Sequence, residues 1–453
     1  MNLPDYFFAD LPAGASITPS MIGEACQTLK RNREQYLRHR STDDIIRALS
    51  SLAESWMDPE YPFRLKLLAD GPEATGFSKE ILRIGIDEFF SAINAKNLRH
   101  LIVQDLGHAK RLDGFHANDL EQNTDRASTV RGPELLVHIA AGNIPNSTLT
   151  SMLLGLLLRS AQFVKCGTGG SFIPRLFAHS LYEVEPKLAA CLEIAEWKGG
   201  AHSLESVLFS EADCVTANGS NETLEKIRSH LPAKVRFLGY GHRVSFGYVT
   251  HEALSGFDAR KIVTHAAHDV IAWNQLGCLS PHVFYVENGG KMTPEEFAGL
   301  LATELAHHEQ HTPRGKLQTE EAAAIHHRRS FYDIRSANSQ DVKKWQSEQS
   351  TAWTVVYESD PRFQLSCLNR FIYIKAVANP TEALQGADNV FGQVSTVGIA
   401  APLNRAQLLA EQLSRWGVPR ICPIGKMQQP PLTWRHDGRP SLADLVTWSD
   451  WEM

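Results

Sequence analysis

The seven cysteines of this 453-residue chain, at 26, 166, 191, 214, 278, 367 and 422, form no CxxC pair, and no two stand closer than 23 residues. That scatter excludes a zinc knuckle and a compact disulfide scaffold, and it makes a reducing cytoplasm the default setting. Long apolar runs are missing too. The longest, LTSMLLGLLL at 149–158, closes on Arg159, well short of the roughly 20 residues that cross a bilayer. No transmembrane segment is expected, and the run reads as a buried helix. Nor is there an excess of positive charge: 45 Lys and Arg against 51 Asp and Glu leave a formal net charge of −6, which gives nucleic-acid backbones nothing to bind. The start, MNLPDYFFADLPAGAS, has no basic stretch ahead of an apolar core and so does not read as a secretory signal. GxGxxG and HExxH are both absent.

What is present is a globular composition, 43% hydrophobic and 21% charged, in a chain longer than one core normally supports, so two or more lobes are expected. The first 130 residues are mostly helical in pattern. Thr18 can cap a helix that opens on Pro19, and SKEILRIGIDEFFSAINAKNL, 78–98, reads as an amphipathic helix capped by Ser78. From Glu134 strand-like runs appear (ELLVHIAA, AQFVKC, ESVLFS, DCVTA, KVRFLG), separated by helix-length segments. That alternation predicts an α/β fold with a parallel sheet between helices. HVFYVE, AWTVVYES and RFIYIKAV predict a second sheet, and the Pro-, Gly- and Trp-rich C-terminus reads as an extended arm.

Three strand-to-loop junctions could hold an anion on backbone amides: HIAAGNIPNS, with Asn143 just past a strand; FVKCGTGG, a strand ending in Lys165 before a Gly-rich turn with Thr168; and CVTANGSNE, with Gly219 at the turn and Ser220 as a natural N-cap. Each also reads as an ordinary strand-to-helix turn. Cys278 stands in a Gly-Cys-Leu-Ser-Pro turn, between the helix-patterned DARKIVTHAAHDVIAWNQ and the strand HVFYVE. It can be a buried small hydrophobe, or a nucleophile whose thiolate is favoured by turn amides, helix termini or local cations. Cys166 and Cys214 fall inside strand patterns and read as core. His307 and His311, at i, i+4 behind a Thr293–Glu296 capping box, read as surface histidines of a solvated helix rather than as metal ligands, and no metal is expected.

In order, these segments resemble the aldehyde dehydrogenase superfamily, and within it the long-chain acyl-CoA reductases. AGNIPNS resembles the family's Trp-Asn-Phe-Pro segment, AQFVKCGTGG its cofactor-lysine strand, VTANGS its Thr-Gly-Ser turn, and FDARKIVTHAAHDVIAWNQLGC the helix and turn that deliver the nucleophile. GHRVSFGYV and RICPIGKMQQPPLTWRHDG resemble the acyl-CoA reductase branch, and the likeness runs from about Leu135 onward. The resemblance implies N-terminal helices with a Rossmann-type dinucleotide domain over 1–242, a catalytic domain over 243–425, an arm over 426–453, and the cysteine at the cleft between domains. It implies Cys278 as nucleophile, Asn143 and the Cys278 amide as oxyanion hole, Lys165 at the adenosine ribose, and Gly219 and Ser220 under the pyrophosphate. A homo-oligomer, an acyl-CoA or acyl-carrier substrate and an acyl-transferase partner are further implications.

Two departures sharpen the expectation. Family members carry a water-activating glutamate after the Leu-Gly-Gly strand, yet residues 231–251 hold no Asp or Glu, so thioester reduction fits better than aldehyde oxidation. The family's ribose-binding glutamate is here Thr168; without that carboxylate a 2′-phosphate meets less repulsion, which favours NADPH over NADH. An oxidising aldehyde dehydrogenase and a non-reducing acyl-transfer subunit are the alternatives.

Overall fold

The structure, a computed structural model, describes residues 3–12, 14–140, 142 and 144–452. The chain divides into two compact units: the first comprises residues 1–75, 86–241 and 431–453, the second 76–85 and 242–430.

The first unit opens with helices. At Pro19–Asn32 the Thr18 hydroxyl accepts from the Met21 amide at 3.3 Å, as the cap pattern predicts. The helix expected over 78–98 is two helices, Lys79–Ser91 and Ala95–Leu106, because the Asn94 side chain accepts from Asn97 N at 3.0 Å and starts the chain afresh. Strands β1 (Arg126–Arg131), β2 (Leu135–Ile139), β3 (Ala161–Cys166), β4 (Leu192–Glu196), β5 (Cys214–Asn218) and β6 (Arg236–Tyr240) follow, and the last five form one sheet in the order β4-β3-β2-β5-β6. Every pair in that sheet is parallel. All residues of β2 and β3 are buried, the near-continuous apolar texture of strands covered on both faces. Among the polar side chains buried there, His138 lies between Thr216 Oγ1 at 2.7 Å and Gln162 Oε1 at 2.9 Å, and burial lowers it to about 4, so the ring stays neutral. ESVLFS, predicted as a strand, lies in the helix His202–Glu211, and the strand sits earlier, at β4. Hydrophobic content without a clear period does not separate a short strand from a buried helix turn.

The second unit is built on a seven-stranded sheet of β7 (Val244–Val249), β8 (Pro281–Glu287), β9 (Val342–Gln346), β10 (Thr354–Glu358), β11 (Phe371–Val377), β12 (Val394–Ala400) and β13 (Arg420–Pro423), in the order β13-β12-β7-β8-β11-β10-β9. Only β9 runs antiparallel to its neighbour. Phe246, Tyr285, Tyr332, Phe371 and Tyr373 fill its core. The final strand, β14 (Thr447–Glu452), belongs to the first unit and pairs antiparallel with β1. No helix among the described residues is long and apolar enough to cross a membrane.

Candidate functional site

In the first unit the turns after β2, β3 and β5 all leave the carboxyl edge of the parallel sheet, where ligands of open α/β sheets bind. Asn143 lies outside the described residues. Lys165, near the end of β3, is 5% exposed, and its ammonium makes no hydrogen bond or ion pair among the described residues. Its ammonium stands 5.7 Å from the centre of the Trp197 ring. Burial pulls its pKa below the usual lysine range, against the opposing charges of Glu205 and Glu196. The indole Nε1 of Trp197 is also buried without an acceptor. A buried indole N–H without an acceptor is expensive unless a ligand supplies one, and the lysine ammonium beside it can donate to the same ligand. Sugar hydroxyls and phosphate oxygens are such acceptors, so the residues fit a nucleotide.

The glycine-rich turn reverses through Gly169, whose φ of +78° suits glycine, and Thr168 is exposed on it. Its amides are already engaged: Gly169 N and Ser171 N donate to the Glu196 carboxylate at 2.7 and 3.2 Å. At the turn after β5, Gly219 N donates to Tyr240 O at 3.2 Å, and Ser220 Oγ accepts from Thr223 N at 3.2 Å as the N-cap of the helix Asn221–His230. Sequence reasoning placed these turns but missed Glu196, which lies at the end of the overlooked strand β4.

In the second unit Cys278 is half-buried, in the turn that leads into β8. Cys166 and Cys214 are buried, and desolvation pushes both thiols up to about 12; such thiols are inert. The helix Ala259–Ile271 stops short of the predicted run, because Trp273, Asn274 and Gln275 are all left-handed, with φ of 48°, 51° and 66°. Three successive non-glycine residues in that region cost about 1–3 kcal/mol each, so the surroundings must hold them. The Asn274 amide group donates to Arg314 O at 2.8 Å, Asn369 N donates to Asn274 O at 3.0 Å, and Gln275 Nε2 donates to Pro281 O and Phe371 O at 2.7 and 3.0 Å. Leu368, Asn369 and Arg370 form a second left-handed triplet, φ 58°, 54° and 66°. The Trp273 ring packs where a Cβ on Gly85 would come within 2.0 Å of it, so that position requires glycine.

Around the cysteine itself, Ser245 Oγ donates to Cys278 O at 2.7 Å and accepts from Thr396 N at 3.1 Å. Gln428 Nε2 donates to Ser280 Oγ. Arg420, buried and anchored on Met427 O and Lys426 O at 2.6 and 2.8 Å, lies within electrostatic reach of Cys278. Sequence reasoning missed it, since its place depends on β13 joining the sheet beside β12. A cavity of about 670 Å³, lined by Glu252, Phe257, Pro402 and Cys422, opens at the other edge of this sheet, beyond the carboxyl ends of β7, β12 and β13. His251, Glu252 and Glu287 cluster at that edge, but Arg405 pairs with Glu287 at 3.0 Å and supplies the positive charge a metal would bring. His307 and His311 meet edge to face along their helix, ring centres 5.0 Å apart.

A family model described as acyl-CoA reductase (LuxC) matches residues 37–448. A long-chain acyl-protein thioester reductase of Vibrio harveyi is 23% identical over 416 residues, covering 91% of this chain and 83% of that protein. Among solved structures, aldehyde dehydrogenase 21 of Physcomitrella patens, in complex with its product succinate, superposes with a TM-score of 0.69 at 11% identity, over 96% of this chain and 91% of that one. Glyceraldehyde-3-phosphate dehydrogenase GapN of Methanocaldococcus jannaschii, complexed with NADP, gives 0.67 at 11% identity, over 96% and 95%. At such identities the solved structures establish the fold, which is aldehyde-dehydrogenase-like α/β.

Proposed function

The chain belongs to the acyl-CoA reductase (LuxC) family, and from that premise we propose that it reduces a fatty acyl thioester to the aldehyde through an acyl group carried on Cys278. The observation that carries this reading is the contrast among cysteines: Cys278 is half-buried just past the left-handed run, with the Arg420 guanidinium in electrostatic reach, while Cys166 and Cys214 are sealed in strands and burial pushes up the thiols of the other two half-buried cysteines, Cys367 and Cys422, the latter to about 11. A cation beside a thiol favours the nucleophilic thiolate.

The sulfur of Cys278 attacks the thioester carbonyl; the new C–S bond forms as the old one breaks, and the departing thiolate takes up a proton. Asn143 and the Cys278 amide are assigned as donors to the oxyanion, each worth about 3 kcal/mol in acyl transfer. When bound, a reduced nicotinamide nucleotide supplies the hydride that makes the acyl carbon an aldehyde carbon. Collapse of the resulting thiohemiacetal returns the electron pair to sulfur, frees the aldehyde and leaves Cys278 ready for another turn. Lys165 is assigned to the adenosine ribose, and Gly219 with Ser220 to the pyrophosphate. On the Thr168 argument the nucleotide is NADPH, with NADH the weaker choice. Water is poorly served: the first acid after β6 is Glu252, beyond the carboxyl end of β7, whereas Cys278 precedes β8 at the amino edge, about 20 Å away along the sheet. The acyl donor is acyl-CoA or, as the name of the Vibrio harveyi relative suggests, an acyl group on a protein passed on by a transferase.

The test is incubation with a radiolabelled long-chain acyl-CoA, with and without NADPH. The reading expects aldehyde with loss of nicotinamide absorbance when NADPH is present, and label retained on Cys278 when it is absent. Free acid with formation of reduced nucleotide from added aldehyde would favour an oxidising enzyme, and label without nucleotide oxidation would favour an acyl carrier.

A further inference from the structure

We infer that Glu196 sets the choice between the two nicotinamide nucleotides: it accepts from the adenosine 2′-hydroxyl and opposes a 2′-phosphate, so NADH stays usable where Thr168 alone would point to NADPH. The inference rests on Lys165 and its turn forming the ribose site. Its ground is a carboxylate that returns to this site from a different strand. In the register of the sheet Cys166 pairs with Glu196, one step beyond Lys165 with Ala195. The Glu196 oxygens take the amides of Gly169 and Ser171, which are the donors at the head of the helix Phe172–Val184 that an added phosphate would seek. An anion therefore already occupies the nest. A second carboxylate, Glu205, acts on the Lys165 charge more strongly than Glu196 does but takes neither of those two amides, accepting instead from Gly200 N at 3.0 Å. A carboxylate beside the ribose accepts from a 2′-hydroxyl and repels a 2′-phosphate.

The experiment compares binding of 5′-AMP and 2′,5′-ADP to the full chain, read by quenching of tryptophan fluorescence, Trp197 being the neighbour of Lys165. Glu196→Gln should tighten 2′,5′-ADP about tenfold, weaken 5′-AMP about threefold, and leave the melting temperature within a few degrees. Glu205→Gln, which changes charge by the same amount without freeing the turn amides, should shift the ratio less than threefold. Equal shifts in both variants would overturn the inference, because net charge alone would then explain them; so would a parallel loss of both ligands in Glu196→Gln, the mark of a merely structural residue. Failure of both nucleotides to bind the unaltered protein would instead remove the ribose site itself, while acyl labelling of Cys278 tests the reductase reading separately.

Discussion

The two parallel sheets present their chemistry at opposite edges. In the first unit, Lys165, the glycine turn and Ser220 lie at the carboxyl edge, where helix N-termini present the positive end of the helix dipole. In the second, Cys278 lies at the amino edge of β8, where the nearest helix, Ala259–Ile271, arrives by its C-terminus. That end carries partial negative charge and disfavours a thiolate. The proposed nucleophile there must draw its positive charge and its geometry from tertiary structure, and Arg420, Ser245 and the paired left-handed triplets are the candidates. One site is built from local turns, the other from residues nearly 180 positions apart in the chain.

The largest expected effect is at the sulfur. Cys278→Ala should abolish acyl labelling and reduce turnover by about three orders of magnitude or more, while Cys214→Ala, which alters a buried strand residue, should spare labelling. If label persists in the Cys278 variant, the amino edge of the second sheet is not where the acyl group goes, and the comparison fails. Next comes the guanidinium. Arg420→Gln should slow acylation about a hundredfold near neutrality and move alkylation of Cys278 by iodoacetamide to higher pH, since no helix dipole replaces the lost charge. An unchanged alkylation profile, in a variant that still melts cooperatively, would show that the thiolate has another source of stabilisation.

Lys165→Met tests the other edge. Loss of a charge-assisted hydrogen bond should weaken 5′-AMP about ten- to a hundredfold and leave the alkylation rate of Cys278 within about twofold. The two sites differ in backbone and in charge, and this pair of readouts separates them.

Each unit also buries, on backbone amides, a carboxyl whose pKa burial raises. Burial raises Asp269, which accepts from Gly425 N and Met427 N at 2.6 and 3.0 Å, to about 7. It raises Glu193, which accepts from Phe8 N and Ile194 N at 2.7 and 3.1 Å, to about 8. Both hold their protons more tightly folded than unfolded, so the stability they contribute is fully present below the ordinary carboxylate range and is lost as pH climbs towards 7 and 8. The melting temperature should fall by a few degrees between pH 5 and pH 8. Asp269→Asn should roughly halve the part of that fall below pH 7, where Glu193 still contributes, and leave the part near pH 8, and an unaltered curve would show that Asp269 ionises normally.

The same contrast explains what could be read from residues alone. Thr18, Ser220, Lys165 and the strands AQFVKC and DCVTA were legible because a cap, a turn or a buried strand is written within a few neighbouring residues. Cys278 was legible as the one cysteine in a turn flanked by a helix pattern and a strand pattern. Glu196 was not, since its strand LEIAE carries acids at both ends and the more apolar ESVLFS drew the strand assignment instead. Arg420 and the left-handed run at Trp273–Gln275 were not legible either. Asn274 alone tolerates positive φ readily, and Trp273 and Gln275 do not; the run is held by contacts with Arg314, Asn369 and Phe371, which no local pattern connects to it.

The smallest effect separates the two kinds of turn directly. Gly169, at φ +78°, sits where an alanine is strained, so Gly169→Ala should cost about 1 kcal/mol of stability. Asn274, at φ 51°, is the reverse case: Asn274→Gly relieves a strained conformation by up to about 1 kcal/mol, but surrenders the hydrogen bond to Arg314 O, itself worth about 1 kcal/mol. The two terms nearly cancel, so its melting temperature should barely move, and the informative quantity is the rate of acylation. If the triplet serves only to connect a helix to β8, acylation should be unchanged. If it fixes the position of the sulfur, the looser glycine backbone should lower kcat severalfold at constant stability, which would show that strain at the amino edge does for Cys278 what a helix N-terminus does for an anion at the carboxyl edge.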